Sequence, residues 1–130
     1  ASVHRGRVVV IDYATATTAA LAERPYRDWL RTYRRHAPGE HYLRAPGTQD
    51  ITADVAVDQL PRPTSMATQA EWLRRSGIEE LVEEGRLVWR ERASVSDVAA
   101  LRMRSRVSEA EALVDPGGLG AFLVLEWLAG

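Results

Sequence analysis

With 130 residues, 45% of them hydrophobic and 27% charged, the chain has the composition of a globular domain able to bury about two thirds of its unfolded surface. Seventeen basic residues against eighteen acidic ones leave a net charge of −1, which argues against nucleic-acid or anionic-membrane binding; the absence of cysteine excludes disulfides, thiolate metal sites and cysteine nucleophiles. No apolar run approaches the roughly 20 residues that span a bilayer, and no signal-peptide core is present, so a soluble, cytoplasmic protein is expected. Every basic side chain is arginine, with no lysine or asparagine; the codon bias of a GC-rich genome accounts for this, so arginine content alone is no functional signal.

Arg7–Asp12 is a continuous apolar, β-branched run that predicts a strand buried on both faces, as in a parallel sheet, with Asp12 at its carboxyl end. Thr17–Leu21 is ambiguous. Pro25 suits the first turn of a helix through about His36, with Tyr26, Trp29, Leu30 and Tyr33 at helical spacing. Pro38-Gly39 ends that helix, Pro46-Gly47 marks a second turn, and the alternation over Ile51–Val57 predicts a half-exposed strand. After Pro61 and Pro63, Ala67–Arg75 reads as a short helix. Ser76 with Glu79 is a capping-box pattern opening a helix to about Arg92, with Ile78, Leu81, Val82, Val88 and Trp89 inward despite Gly85. Ser94 with Asp97 marks another start, followed by the stripe Ala100, Met103, Val107, Ala110 and Val114. Asp115-Pro116-Gly117-Gly118 stops this helix, and Ala121–Leu128 predicts a last buried strand. The fold class is therefore α/β, with a helical insert between Ala67 and Val114.

Several motifs fail on context. Gly117-Gly118-Leu119-Gly120 follows a helix and opens a strand, the reverse of a phosphate loop, so it reads as a turn. The stretch after the first strand, Tyr13–Thr17, has no glycine to admit a phosphate. His36, Glu40, His41 and Asp50 match no zinc spacing, and no metal site is expected. Arg24, Arg27, Arg31, Arg34, Arg35 and Arg44 read as the solvated face of a helix. The constellation that carries chemistry is acidic. Asp12-Tyr13 follows the first strand, at the edge where open α/β sheets bind ligands, and Asp50, Thr52 and Asp54 follow the Pro46-Gly47 turn. Carboxylates there can accept hydrogen bonds from a substrate amine or guanidinium; equally, Asp12 and Asp50 can cap turns.

Five segments in order, Gly6–Tyr13, Arg31–His36, Pro46–Ala53, Thr68–Ile78 and Gly120–Leu125, resemble the C-terminal part of the MidA-type S-adenosylmethionine-dependent methyltransferases, a family that includes the mitochondrial methyltransferase assisting assembly of respiratory complex I. The resemblance implies the C-terminal portion of a Rossmann-like class I methyltransferase sheet, residues 1–130 forming one such segment. It places S-adenosylmethionine mainly on an N-terminal half that this chain lacks, so no cofactor-binding residue is expected here. This sequence has Asp12-Tyr13-Ala14 where the family reads Asp-Tyr-Gly, and Asp54-Val55-Ala56 where the family commonly reads His-Val-Asp.

The expected function is methyl transfer to a protein nitrogen nucleophile when the enzyme is complete, the chain alone being inactive. Asp12, Tyr13 and Asp50 are the catalytic candidates, and Thr52, Asp54 and Gln69 the substrate-facing ones. Expected partners are the N-terminal methyltransferase half or a second copy, and a protein substrate, with neither nucleic acid nor membrane involved. The alternative is a non-catalytic interaction module derived from the same fold, its exposed sheet edge pairing with another chain.

Overall fold

The computed structural model describes residues 5–92 and 98–130. These form two compact units, one of Ser65–Gly130 together with the chain up to Ile11, the other of Asp12–Thr64. Among the described residues no helix is long and apolar enough to cross a membrane.

In the first unit, β1 (Gly6–Asp12, whose last residue already belongs to the second unit), β7 (Ser65–Thr68) and β8 (Leu123–Ala129) form a sheet in the order β1-β8-β7. β8 is central, and its adjacent Val124 and Leu125 are each only 1% exposed, so side chains on both faces of this strand are buried. β1 is a correction: all seven of its residues are exposed, not buried on both faces. An apolar β-branched run encodes a strand, but burial depends on what lies alongside, and β1 is at the edge. β7, which the sequence does not predict as a strand, pairs antiparallel to β8, from Ser65 opposite Glu126 to Thr68 opposite Leu123. The expected helix start at Ala67 is also displaced. Ala67 and Thr68 end β7, and α3 (Gln69–Arg75) begins with a capping box in which Thr68 Oγ1 accepts from Glu71 N and Glu71 accepts from Thr68 N. Ser76 closes α3 instead of opening the next helix, its hydroxyl donating to the Trp72 carbonyl.

α4 (Ile78–Arg92) and α5 (Val98–Val114) then pack against each other. Gly85, which reads as a weakness in the helix, lies where an added Cβ would stand 3.0 Å from the Met103 carbonyl oxygen, so the close approach of the two helices requires it. Leu81 is 54% exposed, contrary to its expected inward position, whereas Ile78, Val82, Val88 and Trp89 are half-buried. Ala110 is buried and Met103, Val107 and Val114 half-buried, as the stripe predicts; the Ser94 and Asp97 start lies outside the described residues. Asp115 terminates α5, its side chain accepting from Gly117 N and its carbonyl from Gly118 N and Gly120 N. An added Cβ at Gly120 would fall 2.5 Å from the Val114 carbonyl carbon, which fixes glycine at this turn.

In the second unit, α1 (Thr18–Ala22) settles the ambiguous stretch as a helix capped by Thr17, whose hydroxyl accepts from Ala20 N at 3.1 Å. The expected helix from Pro25 to His36 does not form. It stops after one turn, α2 (Tyr26–Trp29), and Leu30–Arg34 is strand β3. Spacing that puts Tyr26, Trp29, Leu30 and Tyr33 on one helical face is overridden by pairing. β3 runs antiparallel to β5 (Asp50–Ala53), from Leu30 opposite Ala53 to Tyr33 opposite Asp50, and to β4 (Ala37–Pro38) on its other side. The hairpin between β3 and β4 turns on Arg35 and His36, with φ of 49° and 66°, left-handed values that cost these residues about 1–2 kcal/mol each. The predicted strand over Ile51–Val57 is broken at Asp54. β5 stays with β3, while β6 (Val55–Ala56) pairs in parallel with β2 (Ala14–Thr15).

Candidate functional site

The break at Asp54 builds the most connected site of the second unit. Asp54 N donates to the Trp29 carbonyl at 2.8 Å, which seats the residue between two sheets. Its side chain is only 9% exposed, and both oxygens are taken: Arg24 Nη1 donates to Oδ2 at 3.0 Å and Arg31 Nη2 to Oδ1 at 2.7 Å. The same two guanidiniums close onto backbone, Arg24 Nη2 and Arg31 Nη1 both donating to the Asp28 carbonyl, while Arg24 Nη1 also reaches Thr15 Oγ1 at 3.2 Å. Arg31 lies 5.0 Å from the centre of the Tyr13 ring, a cation–π arrangement, and Val55 N donates to the Tyr13 carbonyl. One carboxylate thus ties the link between α1 and α2, α2 itself, β3, β2 and β6 together around Tyr13. The arginines read as a solvated helix face include two that are ion-paired, and there is no such helix. Only an acid flanked at long range by arginines could have signalled this, and sequence spacing does not encode that.

Asp12 ends β1 exposed, its Oδ1 accepting from Tyr13 N at 2.7 Å, so it orders the chain's exit from the strand. Asp50 is exposed at the start of β5, and Thr52 is half-buried opposite Arg31 on β3. Tyr13 and Asp54 therefore share one network, which Asp12 adjoins only through its bond to Tyr13 N, with Asp50 and Thr52 on the strand that leads into it. Gln69 lies in the other unit, 6% exposed, with its side-chain amide donating to the Leu113 carbonyl at 2.9 Å. Its contacts tie α3 to the end of α5. His36 sits on the hairpin turn, and among the described residues no group of three or more His, Asp or Glu side chains converges on one point. Among the described residues, the turn after β1 has no glycine, and the amides of Gly117, Gly118 and Gly120 donate to Asp115.

Two further carboxylates are held by local donors. Asp58 accepts from Thr18 N at 2.9 Å and from Thr18 Oγ1 at 2.8 Å, and these bonds hold its pKa below the ordinary carboxyl value. The Thr68 backbone N–H, followed by its hydroxyl, does the same for Glu71. Both carboxyls bind protons less readily in the folded protein than in the unfolded one. Their stabilisation is complete above the unfolded value and is lost as pH falls through the folded one. Melting temperature is therefore expected to fall as pH drops through and below the ordinary carboxyl range, and Asp58→Asn is expected to flatten part of that fall. An identical profile in the variant would show that Asp58 contributes nothing.

Two crystal structures from Burkholderia thailandensis share this mixed α/β fold. One, an uncharacterized protein, aligns with a TM-score of 0.66 at 22% identity over 97% of this chain and 33% of its own length. The other, a member of the same superfamily described as a "likely methyl transferase" and bound to S-adenosyl-homocysteine, aligns with a TM-score of 0.60 at 21% identity over 96% of this chain and 32% of its own. The chain spans about a third of the length of these structures. No curated protein matches it. Residues 1–76, more than half of the chain, match the family described as "Putative S-adenosyl-L-methionine-dependent methyltransferase", and the chain belongs to that family.

Proposed function

We propose that the chain is the C-terminal portion of a MidA-type, Rossmann-like methyltransferase that transfers a methyl group from S-adenosylmethionine to a nitrogen nucleophile of a protein. The observation that carries this reading is the family match over residues 1–76, which contains β1, the Asp12-Tyr13 exit and the Asp54 network. The exposed edge of β1 supports the sheet assignment. Val8, Val9, Val10 and Ile11 are 38–51% exposed, and a further strand from the rest of the enzyme, or from a second copy, would cover them. We place the cofactor mainly on that remainder and the complete enzyme in the cytoplasm, without nucleic-acid or membrane partners. The same open edge favours, as a second reading, a non-catalytic module that pairs with another chain.

In this proposal Asp12 orients the nucleophile, its carboxylate accepting an N–H so that the nitrogen lone pair points at the methyl donor. Tyr13, braced by Arg31, forms the adjacent wall. In a protein of the relatives' full length, Asp12→Asn is expected to lower methyl transfer per folded molecule about 10–100-fold. It is expected to change stability by less than about 0.5 kcal/mol, as an exposed substitution does. If turnover per folded molecule survives, Asp12 only orders the turn. Titration calorimetry of this chain alone with S-adenosylmethionine is expected to show no saturable heat, and a dissociation constant in the micromolar range would put the cofactor site here instead.

A further inference from the structure

On the β3–β4 side of the second unit lies a cavity of about 510 Å³ that shares Arg31 with the Asp54 network. That volume falls within the range of small-molecule sites. Its walls include three rings that fix one another. His41 stacks on Tyr42 with centroids 4.4 Å apart, and Tyr26 meets both edge-on at 5.7 and 5.8 Å. The segment bearing His41 and Tyr42 is pinned by Gln49, whose side chain accepts from Glu40 N and donates to the His41 and Arg44 carbonyls. These walls are set before any ligand arrives, which lowers the ordering cost of binding.

The polar groups give the cavity a sign. Both Nη groups of Arg31 are spent on Asp28 and Asp54. Arg27 spends only Nε, on the Tyr26 hydroxyl at 3.1 Å, and its guanidinium carbon lies 5.7 Å from the centre of that ring. A cation thus stands at the wall, and among the described residues no acceptor takes its Nη donors. His41 Nδ1 accepts from Leu43 N at 3.2 Å, which assigns the ring proton to Nε2 and makes that nitrogen a second donor. Glu40 is the acid among the lining residues, and among the described residues nothing fixes its carboxylate. We propose that this cavity binds a planar aromatic ligand bearing an anionic group, the ring lying against Tyr26, His41 and Tyr42 and the anion meeting Arg27. Binding of such a ligand does not depend on the methyltransferase reading and holds whether or not that reading does.

The test is titration of the full chain with 2-naphthalenesulfonate, followed by amide chemical shifts in NMR. Saturable shifts are expected in 26–33 and 39–42. The cationic analogue 2-naphthylmethylammonium is expected to bind about tenfold more weakly, a difference that Arg27→Gln, an exposed substitution, abolishes. Tyr42→Ala is expected to weaken both probes about three- to tenfold, whereas Tyr42→Phe, which keeps the ring and the fold, binds as the parent does. Shifts scattered over the surface, an ammonium probe that binds as tightly, or a charge preference that survives Arg27→Gln would each overturn the proposal.

Discussion

Asp54→Ala is expected to loosen β3 and β5 more than any other single change in the second unit. The substitution strips two guanidiniums of their shared counterion and leaves their donors aimed at a void. Breaking a fully buried pair costs about 3–5 kcal/mol, and an exposed one rarely more than about 1. Here the acid is 9% exposed while Arg24 and Arg31 are 39% and 28% exposed, so water recovers part of the loss. The expected cost is about 1–3 kcal/mol, with Asp54→Asn nearer the low end because one acceptor oxygen remains. Amide hydrogen exchange reads it directly: protection in 30–34 and 50–53 should fall, while that of β7 and β8 stays. Unchanged protection would mean that the backbone pairing alone holds these strands. The same variant should also free Arg31 from its place over Tyr13, so an altered Tyr13 ring shift is the companion signature.

The largest loss of stability is expected from Leu125→Ala in the first unit. Leu125 is 1% exposed at the centre of the sheet, opposite Met66 on β7, and its neighbour Val124 is equally enclosed. Truncating such a side chain removes its transfer free energy and leaves a cavity that packed neighbours cannot fill, about 2–5 kcal/mol. Leu128, three residues along the same strand and 63% exposed, supplies the control, and Leu128→Ala should lie within about 0.5 kcal/mol of the parent. Urea denaturation of the two variants compares them. Equal costs would show that β8 is not the core of this unit.

Features that rest on short-range chemistry are legible in the residues alone. The β-branched run of β1 and the apolar run of β8 encode strands, the stripe from Met103 to Val114 encodes a helix, and Asp115-Pro116-Gly117-Gly118 encodes its end. The position of Asp12-Tyr13 at a strand exit was legible for the same reason, since a strand's end is a local property. Features that depend on a distant neighbour follow from how the chain folds back on itself. Leu30–Arg34 has a helical pattern but becomes β3, because hydrogen bonds to Asp50–Ala53 and burial against that strand outweigh a propensity difference of about 1 kcal/mol. β1 carries a core-like sequence yet lies exposed, because burial belongs to whatever flanks a strand. Gly85 reads as a helix fault, yet α5 passes so close that a side chain there would crowd its backbone. Asp54, finally, owes its role to Arg24 and Arg31, 30 and 23 residues away. Their charges meet only because the chain doubles back through β3 and β5, and no residue spacing records where a folded chain crosses itself.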